Sequence, residues 1–204
     1  MDSRLHICHL TTAGGVQIVR NAKKRGIKVT AEVTPHHLLL TDELTESYDP
    51  VYKVNPPLRT EKDVMALREG LADGTIDIVA TDHAPHPAES KECEWQYAAF
   101  GMLGLETALS IVWQGMIESK LMDIESLQAR MSTKPAEIGR YHNQGKALVK
   151  GAPANLTLFA PDKSWKVDRD LVASKSKNTP FHGMEFAGSI VATFFEGRES
   201  WRAK

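Results

Sequence analysis

A carboxylate and two imidazoles follow directly on a short apolar run in the middle of the chain. Ile76–Ala80 are mostly β-branched and apolar, which predicts a buried strand of a parallel sheet. Asp82, His83 and His86 come next, and interspersed prolines prevent the strand from continuing. Ionisable groups at the end of a buried strand lie at the rim of a core, where water is scarce. This placement predicts a functional site.

Polar residues follow two other predicted strands in the same way, at His9 and at Thr34. In a (β/α)₈ barrel the carboxyl ends of the strands converge on one face, and the catalytic groups gather there. We therefore expect His9 and Asp82 to meet. An imidazole and a carboxylate suit a zinc-like ion, which activates water at neutral pH. The chemistry predicted for this face is metal-assisted hydrolysis.

Each of these residues also has a structural interpretation. A histidine at a strand end, such as His9, can simply hydrogen-bond a neighbouring loop. An unpaired carboxylate at a buried strand end is costly without a cation or donors, which favours Asp82 as a ligand. The pair His36 and His37 is predicted to be structural, because neighbouring side chains on an extended segment point opposite ways. Cys8 alternates with His9 and is expected to lie in the core.

Strands and helices alternate in the first part of the sequence. Strands are predicted at 4–10, 27–33 and 76–80, with helices from Thr11-Thr12 to Gly26 and from Thr60 to Ala72. This rhythm is typical of a parallel α/β fold.

The pattern changes after His86. Helices are predicted at 106–121 and 124–131, and short β-like runs at 155–160 and 189–195. We place a boundary near Gln144, which separates residues 1–144 from a small β-rich region at 145–204.

Composition limits the kind of partner. The 204 residues are 42% hydrophobic and 25% charged, as in a globular protein with a sizeable core. A formal net charge of -1 offers no basic field for nucleic acid or a membrane surface, so the partner is expected to be a small molecule. No apolar run reaches the ~20 residues of a membrane span, and no signal segment opens the chain. With two widely spaced cysteines, the sequence predicts a cytoplasmic protein.

Five motifs together resemble bacterial class I dihydroorotase of the amidohydrolase superfamily. They are His6–Thr12, Val33–Leu40, Val54–Arg59, Thr81–His86 and Lys177–Phe181. The hexapeptide Thr-Asp-His-Ala-Pro-His at 81–86 favours dihydroorotase over the related hydantoinases and allantoinases. The resemblance implies a metal-dependent (β/α)₈ TIM barrel followed by a small β-rich region.

The resemblance also implies an activity and roles for single residues. The reaction would be the reversible, zinc-dependent cyclisation of N-carbamoyl-L-aspartate to L-dihydroorotate in de novo pyrimidine biosynthesis, at a binuclear zinc centre. His9 would be a zinc ligand at the end of barrel strand six. Asp82, at the end of strand eight, would be both a zinc ligand and the catalytic acid and base. The implied substrate contacts are Asn55, His86, Phe100 and Gly101.

Part of the family pattern is missing from this sequence. The His-x-His-Leu-Arg motif of the family's first strand is absent, and the sequence begins at what would be strand six. Strands six to eight are therefore expected, with only His9 and Asp82 from the zinc ligands and negligible activity in the chain alone. The alternatives are a non-catalytic dihydroorotase-like subunit that stabilises a partner such as aspartate transcarbamoylase, or a related cyclic amidohydrolase. The intact Asp82 and His86 favour an enzyme, and a homo-oligomer remains open.

Overall fold

Three short parallel strands alternate with helices in the first part of the chain. The computed structural model describes residues 3–203. Strands β1 (Leu5–Ile7), β2 (Val29–Val33) and β3 (Ile78–Val79) form a parallel sheet in the order β1-β2-β3. Helices α1 (Ala13–Lys24) and α2 (Glu61–Ala72) lie between them in sequence. The predicted parallel α/β arrangement is confirmed for this part of the chain.

Helix α1 begins and ends for reasons visible in the sequence. The Thr12 hydroxyl accepts a hydrogen bond from the Gly15 N–H, which satisfies one free donor of the first turn. Val16 and Val19 are buried against the sheet, and Lys23 and Lys24 lie in the last turn, where positive charge complements the helix dipole.

The strands are shorter than the sequence predicts. At β3, the Asp77 carboxylate accepts a hydrogen bond from the Ala31 N–H at 2.8 Å, so a side chain replaces a backbone partner at the edge of the ladder. At β1, the backbone of His9 has a φ of 52°, which is incompatible with an extended strand. Strand β1 thus ends two residues before His9, and β3 ends three residues before Asp82.

The helices after β3 are interrupted, whereas the sequence predicted two continuous ones. Helix α3 (Ala108–Val112) continues into a π-helical turn at Trp113–Glu118. Helix α4 (Ile124–Gln128) continues through a second π-helical turn, Ala129–Thr133, into α5 (Lys134–Gly139). No helix between residues 3 and 203 has the length and apolar character to cross a membrane.

An antiparallel sheet follows in the last part of the chain. Strands β4 (Leu156–Lys166), β5 (Glu185–Phe195) and β6 (Arg198–Arg202) pair in that order. The first two are longer than predicted. The sequence analysis missed β6, since all five of its residues are exposed and it lacks an apolar face.

Two apolar cores stabilise this arrangement. One lies between the parallel sheet and its helices, and the other joins residues from both parts of the chain. In the second core Val167, Phe181 and Phe186 pack with Leu40 and Val54. The segment before β5 is therefore held against the loops that follow the parallel strands. The domain boundary near Gln144 stays a prediction.

Candidate metal and substrate site

His9 and Asp82 lie close together at the ends of two parallel strands. His9 follows β1 and Asp82 follows β3, and His9 Nε2 is 3.7 Å from Asp82 Oδ1. Their side chains are 30% and 25% exposed, so solutes can reach both. The structure thus brings together the two residues that the sequence predicts to meet.

The backbone of both residues is in the left-handed region. The φ angles are 52° for His9 and 45° for Asp82, a conformation that residues other than glycine adopt infrequently. Such conformations cost about 1–3 kcal/mol and cluster at functional sites. The chain therefore turns sharply at both residues, just after the two strands.

Glu32 connects His9 to a second histidine. Its Oε2 is 2.9 Å from His6 Nε2, and its Oε1 is 2.9 Å from His9 Nδ1. His6 Nδ1 lies 2.7 Å from the Thr30 hydroxyl. His9 Nδ1 makes no hydrogen bond within residues 3–203, so its contact with Glu32 is electrostatic. A line of polar groups runs from Thr30 through His6 and Glu32 to His9.

The Asp82 carboxyl is less acidic than an exposed aspartate. Burial raises its pKa, the neighbouring His9 opposes this, and the negative charge of Glu32 adds to the increase.

The arrangement fits two ligands of one zinc ion. Ligand atoms about 2.0–2.2 Å from a tetrahedral zinc lie roughly 3.4 Å apart, close to the separation of His9 Nε2 and Asp82 Oδ1. These two donors would occupy two of the ion's coordination positions.

Cys8 lies on the surface, so the prediction that it belongs to the core is wrong. The alternation of side chains along an extended segment places Cys8 on the face opposite His9. It does not decide which of the two faces is covered by other residues. The ligand atoms of His6, Cys8 and Glu32 all lie within 4.8 Å of one another. His6 and Glu32 are already hydrogen-bonded to each other, which occupies two of these three groups.

His86, Phe100 and Gly101 form a second cluster. His86 Nε2 donates to the Phe100 carbonyl at 2.9 Å. The Gly101 N–H donates to the Lys53 carbonyl at 2.9 Å, so this backbone donor is already used. Gly101 has a φ of 128°, and a Cβ there would lie 2.6 Å from the Cβ of Ala84. Only glycine fits at this position.

Two buried lysines support this cluster, and the sequence analysis missed both. Lys91 Nζ donates to the carbonyls of Lys53, Ala99 and Gly101. Burial lowers the pKa of the Lys91 ammonium to about 8, and the charge of Lys53 contributes to the same shift. Lys53 Nζ donates to the Trp95 carbonyl and lies 4.6 Å from the centre of the Phe100 ring.

A family comparison decides where this chain belongs. The amidohydrolase family profile matches residues 4–199. The chain belongs to the amidohydrolase family.

This amidohydrolase is similar to curated dihydroorotases, as its motifs predict. It is 62% identical to the dihydroorotase of Streptomyces coelicolor over 97% of this chain and 46% of that relative. It is 50% identical to the dihydroorotase of Mycobacterium tuberculosis over 98% of this chain and 46% of that relative. The chain therefore spans about half the length of the curated relatives it matches.

Solved structures of cyclic amidohydrolases share the fold. The L-hydantoinase of Arthrobacter aurescens superposes with a TM-score of 0.91 at 33% identity, over 98% of this chain and 45% of that one. The dihydropyrimidinase of Brevibacillus agri gives a TM-score of 0.91 at 23% identity with the same coverage, which shows the fold alone.

Other histidines of this amidohydrolase have structural contacts. His83 Nδ1 accepts hydrogen bonds from the N–H groups of Gly104 and Leu105. His37 Nδ1 accepts from the Thr34 hydroxyl, and its Nε2 donates to the Pro56 carbonyl. These contacts agree with the structural role expected for His37 and give His83 a structural role as well.

His36 is fully buried, and neither of its ring nitrogens has a hydrogen-bond partner within residues 3–203. Burial lowers its pKa well below the usual range, with smaller contributions from the charges of His37 and His9. Its neutral imidazole behaves as part of the core.

A cavity of about 760 Å³ opens beside His86. Lys91, Arg169, Lys177 and Asn178 are among the residues that line it. His182 also lines this cavity. Asn55 is exposed, two residues beyond the buried Lys53 whose carbonyl binds Gly101. The predicted residues thus form two clusters, His9 with Asp82 and His86 with Phe100 and Gly101.

Proposed function

We propose that this chain carries part of the active site of a dihydroorotase, which cyclises N-carbamoyl-L-aspartate reversibly to L-dihydroorotate. The observation that carries the proposal is the convergence of His9 and Asp82 at 3.7 Å in a chain 62% identical to a named dihydroorotase. Because the match covers 46% of that relative, the remaining ligands would come from outside these residues.

We assign the parallel sheet to barrel strands six, seven and eight. The order β1-β2-β3, with a helix after each of the first two strands, is what three consecutive strands of a (β/α)₈ barrel require. The site residues follow the carboxyl ends of these strands, where barrel enzymes place their catalytic groups.

His9 and Asp82 would hold zinc in a binuclear centre. When bound, zinc would supply Lewis-acid activation of water and of the amide carbonyl. Imidazole and carboxylate ligands make zinc the first choice of metal. Glu32 would stabilise the orientation of the His9 ring from its other side.

Asp82 would move the proton. In hydrolysis, its carboxylate accepts a proton from the attacking water and then delivers it to the departing ring nitrogen as the C–N bond breaks. In cyclisation, it accepts the proton of the attacking carbamoyl nitrogen and returns it to the hydroxide that leaves the substrate carboxyl group. Written for the neutral carboxyl group, atoms and charge balance with water alone. The carboxylate form takes up one proton from the solvent before cyclisation and releases one after hydrolysis.

His86 and the Phe100–Gly101 backbone would bind the substrate beside the metal through the polar groups that the contacts described above do not use, and Asn55 would complete these contacts. An imidazole next to a cavity suits the carboxylate that dihydroorotate and N-carbamoyl-L-aspartate share. The two free cysteines, Cys8 and Cys93, suit a reducing compartment such as the cytoplasm.

A chimera tests the function. This chain would replace the matched segment of the Streptomyces coelicolor dihydroorotase, and dihydroorotate formation would be assayed with and without EDTA. We expect EDTA-sensitive activity in the chimera, loss of at least about a hundredfold with Asp82→Asn, and negligible activity in the chain alone. An Asp162→Asn chimera, changed on an exposed strand residue, is the control. A well-folded chimera with no activity would contradict the proposal.

The same assay separates two other functions. The likeness to L-hydantoinase at 33% identity makes hydantoins the appropriate competing substrates. If the chimera preferred hydantoins, hydantoinase would replace dihydroorotase as the proposed function. A stoichiometric complex with aspartate transcarbamoylase on co-purification, together with an inactive chimera, would favour a non-catalytic subunit.

A further inference from the structure

Asn178 connects the two loops that carry the proposed substrate contacts. Its side-chain Oδ1 accepts a hydrogen bond from the His86 N–H at 3.1 Å. Its Nδ2 donates to the Ala84 carbonyl at 2.9 Å and to the Gly101 carbonyl at 3.3 Å. The side-chain oxygen and nitrogen are thus both used, and the partners fix the orientation of the amide, with oxygen toward N–H and nitrogen toward carbonyls.

The backbone of Asn178 makes a further bond to the same region. Its carbonyl accepts from the Leu103 N–H at 3.0 Å. Asn178 is only 7% exposed, so these polar groups are largely shielded from water. Leaving one of these buried polar groups without a partner is unfavourable, which makes the set hard to rearrange.

The segment around Asn178 is itself anchored. Phe181 is fully buried in the core that it shares with Phe186, Leu40 and Val54. The Thr179 hydroxyl accepts a hydrogen bond from the Phe181 N–H. Asn178 is therefore presented by a rigid segment rather than by a mobile loop.

Other hydrogen bonds also join the two loops, and the Gly104 and Leu105 N–H groups donate to His83 Nδ1. His86 Nε2 donates to the Phe100 carbonyl, and the Ala84 N–H donates to the Met102 carbonyl. Within residues 3–203, the Ala84 carbonyl and the His86 N–H have no hydrogen-bond partner besides Asn178. Removing the amide would leave both unpaired.

We propose that Asn178 is a positioning residue, which holds the His86 loop and the Phe100–Gly101 loop in the relative placement that binds the substrate carboxylate. The inference rests on the proposed dihydroorotase function, and it gives the β-rich region a role in the site. Asn178 acts through His86 and Gly101 and does not itself touch the reacting atoms.

Amide hydrogen exchange on this 204-residue chain tests the connection without any turnover. We expect Asn178→Leu to speed exchange of the His86 amide by about tenfold or more. Asn178→Asp keeps the acceptor, so His86 stays protected. The Leu103 amide, which donates to the unchanged backbone carbonyl, is the internal reference. Equal His86 exchange in wild type and Asn178→Leu would overturn the proposal.

Steady-state kinetics of the chimera described above test the consequence. Both Asn178→Leu and Asn178→Asp should raise KM for dihydroorotate about tenfold, since each loses the donors to Ala84 and Gly101. The value of kcat should change by less than about threefold. Asn155→Leu is the matched control, because Asn155 makes comparable bonds to Asn143 and Glu196 away from the site.

A merely structural role would give a different result. The variants would then lose kcat at constant KM, in proportion to a lowered melting temperature, and this would overturn the proposal. A wild-type chimera with no activity would count against the proposed function alone, and the exchange experiment would still decide the role of Asn178.

Discussion

Glu32 Oε1 lies 2.9 Å from His9 Nδ1, on the side of the imidazole opposite Asp82. The other carboxylate oxygen of Glu32 is 2.9 Å from His6 Nε2. Carboxylates behind metal-binding histidines fix the ring orientation and raise its basicity. Glu32 is 7% exposed and lies within β2, between these two rings.

Replacing Glu32 by glutamine should weaken metal binding without removing a ligand. The expected loss is about tenfold to a hundredfold in zinc affinity, the usual effect of removing such a partner. Competition with a chromophoric chelator in the chimera would measure it. Glu43→Gln, at an exposed position, should leave the affinity unchanged. Equal affinities in wild type and Glu32→Gln would show that Glu32 does not act on His9.

The left-handed backbone at Asp82 predicts a contrast between two substitutions. Asn adopts this region readily, whereas a β-branched residue does not. The free energy of unfolding of Asp82→Val should therefore be about 1–3 kcal/mol lower than that of Asp82→Asn, although both variants lose the carboxylate. Urea denaturation of the chain measures the difference. The same pair at Asp162, in strand β4, should show no such penalty, since valine favours strands. Equal stability at position 82 would contradict the strained turn.

The sequence predicts one half of the candidate site better than the other. His9 and Asp82 could be paired in advance, because parallel strands bring their carboxyl ends to one edge. Asn178 could not, because it acts through hydrogen bonds to the backbone of loops distant in sequence, and an asparagine in a loop carries no signal of that. Cys8 was misplaced, since alternation gives two faces without saying which one is covered.

The bounds of helices and strands were likewise predicted well where local sequence decides them and poorly where tertiary packing does. Helix α1 matches its prediction, because its cap and its apolar positions are local. The π-helical turns and the exposed strand β6 depend on tertiary packing and strand pairing, which local patterns do not contain.

The burial of the His37 imidazole predicts that the folded chain loses stability in mild acid. Burial is the main reason that its pKa falls from 6.5 to about 4, although hydrogen bonds to Pro57 and Pro56 oppose the shift. As the pH falls, His37 therefore binds a proton in the unfolded chain before it does so in the folded chain. The contribution of the neutral His37 to the free energy of unfolding is complete above pH 6.5 and is lost as the pH falls to about 4. The loss is at most about 3 kcal/mol.

Urea unfolding of the chain at several pH values between 7 and 4 would measure this loss. His37→Phe should flatten the pH dependence, with a remainder from the buried His36, whose pKa is lowered in the same direction. His142→Phe, at an exposed histidine, should leave the profile unchanged. A wild-type profile that is flat from pH 6.5 to 4 would contradict the burial of a neutral His37.

Gly101 provides a test of crowding at the substrate loop. A Cβ at this position would lie 2.6 Å from Ala84 Cβ and 3.0 Å from His86 Nε2, at a φ of 128°. Gly183 also has a positive φ, 83°, but a Cβ there would meet nothing within 4 Å. Both positions favour glycine, but the φ of Gly101 lies farther from the left-handed α region than that of Gly183. Gly101→Ala therefore adds both greater backbone strain and a clash.

We expect Gly101→Ala to cost about 1–3 kcal/mol more than Gly183→Ala in urea unfolding of the chain, as an overpacked site does. The displaced His86 should also raise KM of the chimera, whereas Gly183→Ala should leave KM unchanged. Should the two variants prove equally stable and equally active, the close approach of Gly101 to Ala84 and His86 would have no part in holding the site.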